Sequence, residues 1–241
     1  KKAESKVPDK LIVGTNAEFP PFEYMNDKKQ PEGFDIAMIK EIGKRMGKKV
    51  EIKNMEFKSL IGAMESDSIN AIIAGMTKTE KREKAVDFSD SYYTTNQAII
   101  LKKDSKITKL AQLDGKKIGV QEGTTGDLIS SGDKFGDGKK AKVLVKGAKV
   151  KRFKKGVDAV MDLKNGSVDA VVIDELTANE FVKKNAKKLK IVIDSAGSEY
   201  YCIALTKGNT AYKEEVNKQI KAIKEDGTYD KLKAKYIDSK N

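Results

Sequence analysis

The sequence predicts an α/β protein made of two lobes, each a helix-covered and mainly parallel sheet. Three observations carry this. Short apolar runs of strand type alternate with stretches of helical period. The connections between them are short, as where helices cross between parallel strands. The strand–helix cycle runs through to about residue 103 and then begins again at residue 117. At 241 residues the chain has room for one large domain or for two, each with its own core.

The elements follow in order. "LIVGT" (11–15) reads as a buried strand. "GFDIAMIKEIGKRMG" (33–47) sets Phe34, Met38, Ile42 and Met46 four apart, on one helical face. "VEIKNM" (50–55) is a strand, "SLIGAMES" a helix and "AIIAG" (71–75) a strand. A charged helical turn and "DFSDSYY" lead to the strand "AIILKK" (98–103). In the second cycle "KIGVQ" (117–121) runs into "EGTTGDLISS", a Gly-rich turn that opens a helix. The strand "KVLVK", the helix "GVDAVMDLKNG", the strand "AVVID" (170–174), the helix "ELTANEFVKKN" and the strand "KIVID" (190–194) come next. The strand "YYCIALTK" and the helices "TAYKEEVNKQIKAIKEDG" and "TYDKLKAKYI" end the chain.

Composition excludes several classes of function. There is no histidine and one cysteine, Cys202. An intrachain disulfide, a Cys/His zinc site and a Ser-His-Asp or Cys-His catalytic pair are therefore out. Cys202 sits in an apolar alternation, which suits a buried and inert thiol. The net charge of +12 raises nucleic acid as a partner. The lysines, however, are spread over nearly every helix and turn with acids interleaved, and no basic–aromatic stripe or nucleic-acid motif is present. A solvated Lys-rich surface is the better reading, and attraction to an anionic membrane surface is compatible with it. No apolar run reaches the roughly 18 residues of a membrane span. "KKAESKVPDK" reads as a mature or trimmed terminus.

Several residues fall just after strand ends, where open α/β sheets bind small ligands. Asn16, Phe19 and Phe22 follow the first strand, in a segment stiffened by Pro20 and Pro21. Phe22 reads as core, whereas Phe19 suits either core or a ligand-facing wall. Gly75, Thr77 and Arg82 follow "AIIA". Arg82 is one of three arginines, with Arg45 and Arg152, in a lysine-dominated chain. It is either a solvated helix charge or a planar fork for a carboxylate or phosphate, which lysine does not replace. Thr124 and Thr125 open a helix whose N–H groups suit an anion, or else form a simple cap; no phosphate-loop Gly-Lys-Ser/Thr follows. Asp174 ends a buried strand, where a carboxylate caps the next helix or binds a cation. Donors at Arg82 and Thr125, an acceptor at Asp174 and flat walls at Phe19 and Phe57 together make the inventory for a free α-amino acid.

The sequence resembles the polar amino-acid-binding proteins of ABC importers, extracellular solute-binding family 3, over residues 9 to 238. The anchors are "LIVGTNAEFPPFEY", "GFDIAMIKEIGKRMG", "INAIIAGMTKTEKREKAVDFSDSYY", "LDGKKIGVQEGTTGD", "VDAVVIDE" and "EDGTYDKLKAKY". The resemblance implies a type II periplasmic-binding-protein fold that closes like a Venus flytrap. Lobe 1 would take residues 1–95 and 197–241, and lobe 2 residues 96–196, with crossover hinges near 93–97 and 195–199. It implies a ligand site of Asn16, Phe19, Phe57, Ala74, Gly75, Thr77, Arg82, Gln121, Thr124, Thr125 and Asp174. Arg82 would clamp the ligand carboxylate, helped by the backbone at Gly75 and Thr77 and by the Thr125 amide. Asp174 would hold the ammonium, Phe57 and Phe19 would flank the side chain, and Asn16 would face its distal end.

Three departures from the family stand out, the first of which bears on the ligand. Many relatives that bind basic amino acids carry Asp where this chain has Asn16, so a neutral amide there favours glutamine. Glu18 lies near enough to supply a charge, which keeps arginine next. Cys202 stands where Gly is common, and "GDKFGDGKKAKVLVKGAKVKRF" is atypical and loop-heavy. The expectation is an extracytoplasmic, monomeric receptor without cofactor or metal, either periplasmic or held at the outer membrane face by a lipid anchor missing from this N-terminus. Its partners would be a free amino acid and an ABC-transporter permease, with no nucleic acid. The rival readings are a dehydratase-type enzyme on the same scaffold, with Glu18 or Glu175 as general acid, and the ligand-sensing ectodomain of a receptor.

Overall fold

The computed structural model describes residues 5–131 and 145–238. The first strands are β1 (Lys10–Thr15), β2 (Glu18–Phe19), β3 (Glu23–Met25) and β4 (Pro31–Glu32), followed by α1 (Phe34–Arg45) and β5 (Lys49–Asn54). A 3-10 turn, Phe57–Ser59, leads into α2 (Leu60–Glu65), then β6 (Ala71–Ile72), α3 (Glu80–Glu83) and β7 (Val86–Lys102). A second 3-10 turn, Leu110–Leu113, precedes β8 (Lys117–Gln121) and α4 (Thr125–Ser131). After these come β9 (Lys149–Phe153), α5 (Gly156–Asn165), β10 (Ala170–Asp174), α6 (Glu175–Lys183), β11 (Leu189–Thr206), α7 (Thr210–Glu225) and α8 (Thr228–Tyr236). The chain is α/β, as its periodicity predicts.

Two compact units emerge: Lys1–Lys78, Arg82–Tyr93 and Tyr200–Asn241 form the first, and Thr79–Lys81 with Thr94–Glu199 the second. In the first unit β5, β1 and β6 run parallel, and the end of β11 joins β6 antiparallel through Ala204↔Ile72 and Leu205↔Ala71. Strands β2, β3 and β4 form a separate antiparallel sheet, a feature the sequence pattern did not mark because its strands are only two or three residues long. Helix α1 buries Phe34, Met38 and Ile42, the face its spacing predicts, while Met46 is its C-cap. Its leading N–H groups, on Phe34 and Asp35, donate to Pro21 O and Phe22 O, so the Pro-Pro turn satisfies donors that no earlier helical turn can. Phe22 is fully buried, edge-on to Phe34, Tyr93 and Tyr201.

In the second unit β10, β8 and β9 run parallel, and β7 meets β10 antiparallel. The core joins Ile99, Leu101, Ile118, Val120, Ile129 and Val172. The antiparallel pairings with these parallel sets come from β11 and β7, which are three times the usual length. The expected strand "KVLVK" falls largely outside the described residues, while "KVKRF" is a strand that the sequence pattern did not separate. The expected strand "AIIAG" keeps strand geometry only at Ala71–Ile72.

Candidate functional site

The first unit holds seven of the expected residues. Arg82 lies on the single helical turn α3 and is buried, 8% exposed, so it is not a solvated helix charge. Its Nη1 donates to Thr77 O at 2.6 Å, and its Cζ stands 5.4 Å from the centre of the Phe57 ring. An aromatic face beneath a guanidinium compensates part of its lost hydration. Thr77 itself bridges Tyr201, and Met76 O accepts from Cys202 N–H, which ties the segment after β6 to β11. The Thr77 carbonyl therefore acts on Arg82, orienting the fork.

Gly75 sits at φ +51°, in the left-handed region that glycine tolerates best. A Cβ there would lie 3.3 Å from both the Phe19 and the Tyr201 rings. Its N–H donates to Asp35 Oδ2 at 2.7 Å, so the backbone group it has left to offer a ligand is the carbonyl. Ala74 and Phe19 are buried beside it in sequence and space, and Phe19 stacks on Phe22 with ring centres 6.4 Å apart. Phe57 is both core and the surface on which Arg82 rests. Asn16 is buried, and its Nδ2 donates to Met55 O at 2.8 Å.

Asp35 is a participant that sequence reasoning missed, since an acid in a helix's first turn reads as an ordinary complement to the helix dipole. Its Oδ2 accepts from Gly75 N–H and also from the Tyr92 hydroxyl at 2.8 Å. Burial pushes its carboxyl up to about 6, against the opposing pull of hydrogen bonds from Glu23, Gly75 and Tyr92. Burial also raises the Tyr92 hydroxyl well above its usual range. Cys202 is 2% exposed, and burial pushes its thiol up to about 11, as expected of an inert cysteine.

The second unit holds Gln121, Thr124, Thr125 and Asp174, all buried. Thr124 works for its own loop: its N–H turns back to Gln121 O at 3.4 Å, its hydroxyl donates to the same oxygen at 2.7 Å, and it accepts from Asp127 N–H at 3.3 Å. Of the two expected amide donors, that leaves Thr125. Gln121 donates from Nε2 to Lys154 O. Asp127 accepts from Gly123 N–H and from Arg152 Nε, clamping the Gly-rich turn. All three arginines thus hold defined partners, Arg45 being fixed by Glu41, Asp226 and Thr228.

Asp174 occupies the N-cap position of α6 yet makes no side-chain capping bond. Its Oδ1 accepts from Gln97 Nε2 at 2.7 Å instead. The same amide donates to Thr125 Oγ1 at 3.1 Å, and Thr125 donates to Glu199 Oε2 at 2.8 Å. Gln97 and Glu199 were not foreseen; the available signal was a glutamine inside the apolar strand "NQAIIL". Glu175, considered as a general acid, accepts from Asn96 Nδ2 at 3.0 Å. Among the described residues no cluster of His, Cys, Asp and Glu has the arrangement of a metal site, and no helix is long and apolar enough to cross a membrane.

Residues 11–239 match the profile of the bacterial extracellular solute-binding proteins, family 3. The arginine-binding extracellular protein ArtP of Bacillus subtilis is 35% identical over 95% of this chain and 86% of its own. An ancestral arginine-binding protein bound to arginine superposes with a TM-score of 0.86 at 43% identity, over 96% of this chain and 100% of that one. An ancestral arginine-binding protein bound to glutamine gives 0.84 at 41% identity, over 96% and 99%. The profile spans nearly the whole chain and describes proteins that bind solutes rather than transform them. With a guanidinium buried in one unit and an uncapping aspartate in the other, the chain belongs to the bacterial extracellular solute-binding proteins, family 3.

Proposed function

We propose that the protein is the extracytoplasmic receptor of an ABC importer, capturing a free L-amino acid whose side chain ends in hydrogen-bond donors, glutamine or arginine. Arg82 carries the reading. It is a buried guanidinium in a lysine-dominated chain, laid over Phe57 and oriented by Thr77 O. A fork held in that way suits a carboxylate through two parallel N–H···O bonds. Asp174, withdrawn from helix capping, suits the α-ammonium.

The side chain is the finer question. Asn16 donates from Nδ2 to Met55 O, and its amide edge also carries an oxygen, an acceptor. That edge fits the amide of glutamine and the guanidinium of arginine alike, and it disfavours the acidic ends of aspartate and glutamate. Glu18, half-buried on β2, adds acceptor character to the same stretch. Ancestral arginine-binding relatives bound to arginine and to glutamine support the same pair. On this reading residues 1–95 with 197–241 and residues 96–196 act as lobes hinged near 93–97 and 195–199. The ligand shifts their open–closed population only by its differential affinity for the two forms, and a permease receives the closed monomer.

Thermal-shift screening against the twenty amino acids, followed by calorimetry, tests this. A ligand at a hundred times its Kd stabilises by about 2.7 kcal/mol, a readily measured rise. The expected result is a rise with L-glutamine or L-arginine and none with L-aspartate or L-glutamate. No rise with any amino acid, or the largest with an acidic one, overturns the reading.

A further inference from the structure

Gln97 stands directly across the ladder from Asp174, at the end of the antiparallel pairing between β7 and β10. It is 3% exposed. Its two N–H groups meet Asp174 Oδ1 at 2.7 Å and Thr125 Oγ1 at 3.1 Å, and the Thr125 hydroxyl passes its own proton toward Glu199 Oε2 at 2.8 Å. Asp174 and Glu199 each accept in this chain, and the amide and the hydroxyl between them donate outward. A flipped amide would set its oxygen against the Asp174 carboxylate. As oriented, the Gln97 Oε1 faces Gly126, where an added Cβ would lie 3.2 Å away, and it makes no hydrogen bond among the described residues. A buried acceptor left in this way is unfavourable, so the amide's position is not explained by its own satisfaction.

We propose that Gln97 is a positioning residue for ligand binding, one amide that fixes both the Asp174 carboxylate and the Thr125 hydroxyl and holds Asp174 away from the N-terminus of α6. The inference rests on the reading of Asp174 as acceptor of the ligand's α-ammonium. Aspartate is a favoured N-cap residue, and its usual partner is the N–H two or three residues on. The Gln97 bond replaces that partner. It holds the carboxylate in one rotamer, which lowers the ordering cost when a ligand binds.

The test replaces Gln97 by methionine, similar in volume and without donors, and measures L-arginine and L-glutamine binding by calorimetry alongside the melting temperature without ligand. Gln97→Met is expected to weaken binding at least tenfold while the ligand-free protein still melts cooperatively. The discriminating measurement is a cycle with Asp174→Asn. If Gln97 acts through Asp174, Gln97→Met costs less than about threefold in the Asp174→Asn background; a purely structural role predicts the same factor in both. Equal factors, or a Gln97→Met protein that binds as the wild type does, overturn the inference. Should Gln97→Met not fold, Gln97→Asn, whose amide falls one methylene short, takes its place with the same expected pattern. Wild-type protein that binds no amino acid overturns the functional reading itself, and Asp174→Asn without effect overturns the role of Asp174.

Discussion

Asp35→Asn should change how stability depends on pH, and the size of the change follows from the structure. Asp35 is fully buried beneath Gly75, with Glu23 and Tyr92 as its other ionisable neighbours, and its carboxyl is raised from 3.8 to about 6 chiefly by burial. Between those two values the folded chain holds a proton that the unfolded chain has released. Raising the pH through this window therefore favours unfolding, and the stability present below pH 4 is lost as the pH passes about 6. A displacement of that size corresponds to about 3 kcal/mol between the neutral and charged forms.

Asparagine keeps an oxygen for Gly75 N–H and the Tyr92 hydroxyl but does not ionise. Glu23, hydrogen-bonded to Asp35, titrates with it, so the difference in unfolding free energy between variant and wild type reports the Asp35–Glu23 pair and not distant groups. That difference should move in the variant's favour by roughly 2.4 kcal/mol between pH 4 and pH 7. Urea unfolding of the ligand-free proteins at half-unit pH steps, followed by circular dichroism, measures it. A difference that stays flat across the range would refute the claim that Asp35 is buried beneath Gly75 with its proton retained.

The other predictions concern the site and its surroundings. Arg82→Lys should lower amino-acid affinity at least tenfold by calorimetry, since a point charge loses the fork over Phe57 and a charge-assisted bond is worth roughly 1.5–3 kcal/mol; unchanged affinity would remove Arg82 from the site. Gly126→Ala should destabilise by about 1–3 kcal/mol in urea, because its Cβ would lie 2.6 Å from Val172 O, a backbone atom that cannot turn aside; wild-type stability would show that α4 is free to shift. Cys202 should resist iodoacetamide at pH 8 in the native protein and react once unfolded, its thiol being buried and raised to about 11; native labelling at the unfolded rate would contradict that burial.

What the sequence made legible was whatever repeats. The period-four face of α1 and the apolar runs of β1, β8 and β10 stand out because a packed face requires regular spacing. Arg82 was legible for another reason: in a lysine-rich chain the choice of arginine is itself informative. The single-residue contacts were not legible. Gln97 looked like one polar interruption before "AIIL", and Asp35 like a routine first-turn acid, because neither burial nor partners across the fold leave a local pattern. β7 was only half recognised, since "DFSDSYYTTNQ" mixes polar residues into a continuous strand whose burial does not alternate. For Asp174 the sequence left capping and cation binding open. The structure shows no side-chain cap from Asp174, whose Oδ1 accepts from Gln97.

The relative energies explain how such a group is held. Three buried apolar pairs, Val171↔Ile100, Val172↔Ile99 and Ile173↔Ala98, precede Asp174↔Gln97 in the ladder. Burying each Val or Ile side chain contributes roughly 1.5–3 kcal/mol, whereas a net hydrogen bond contributes about 1 kcal/mol. The apolar residues of both strands are buried on both faces of the sheet, so their packing outweighs the amide in holding the register. Gln97 is carried to its place opposite Asp174 by the strand, which is why an unsatisfied Oε1 is tolerated there. The same inequality implies that Gln97→Met leaves the ladder intact and exposes the amide's role in binding by itself. On the proposed reading, the polar groups of the second unit sit at the end of a register they do not determine.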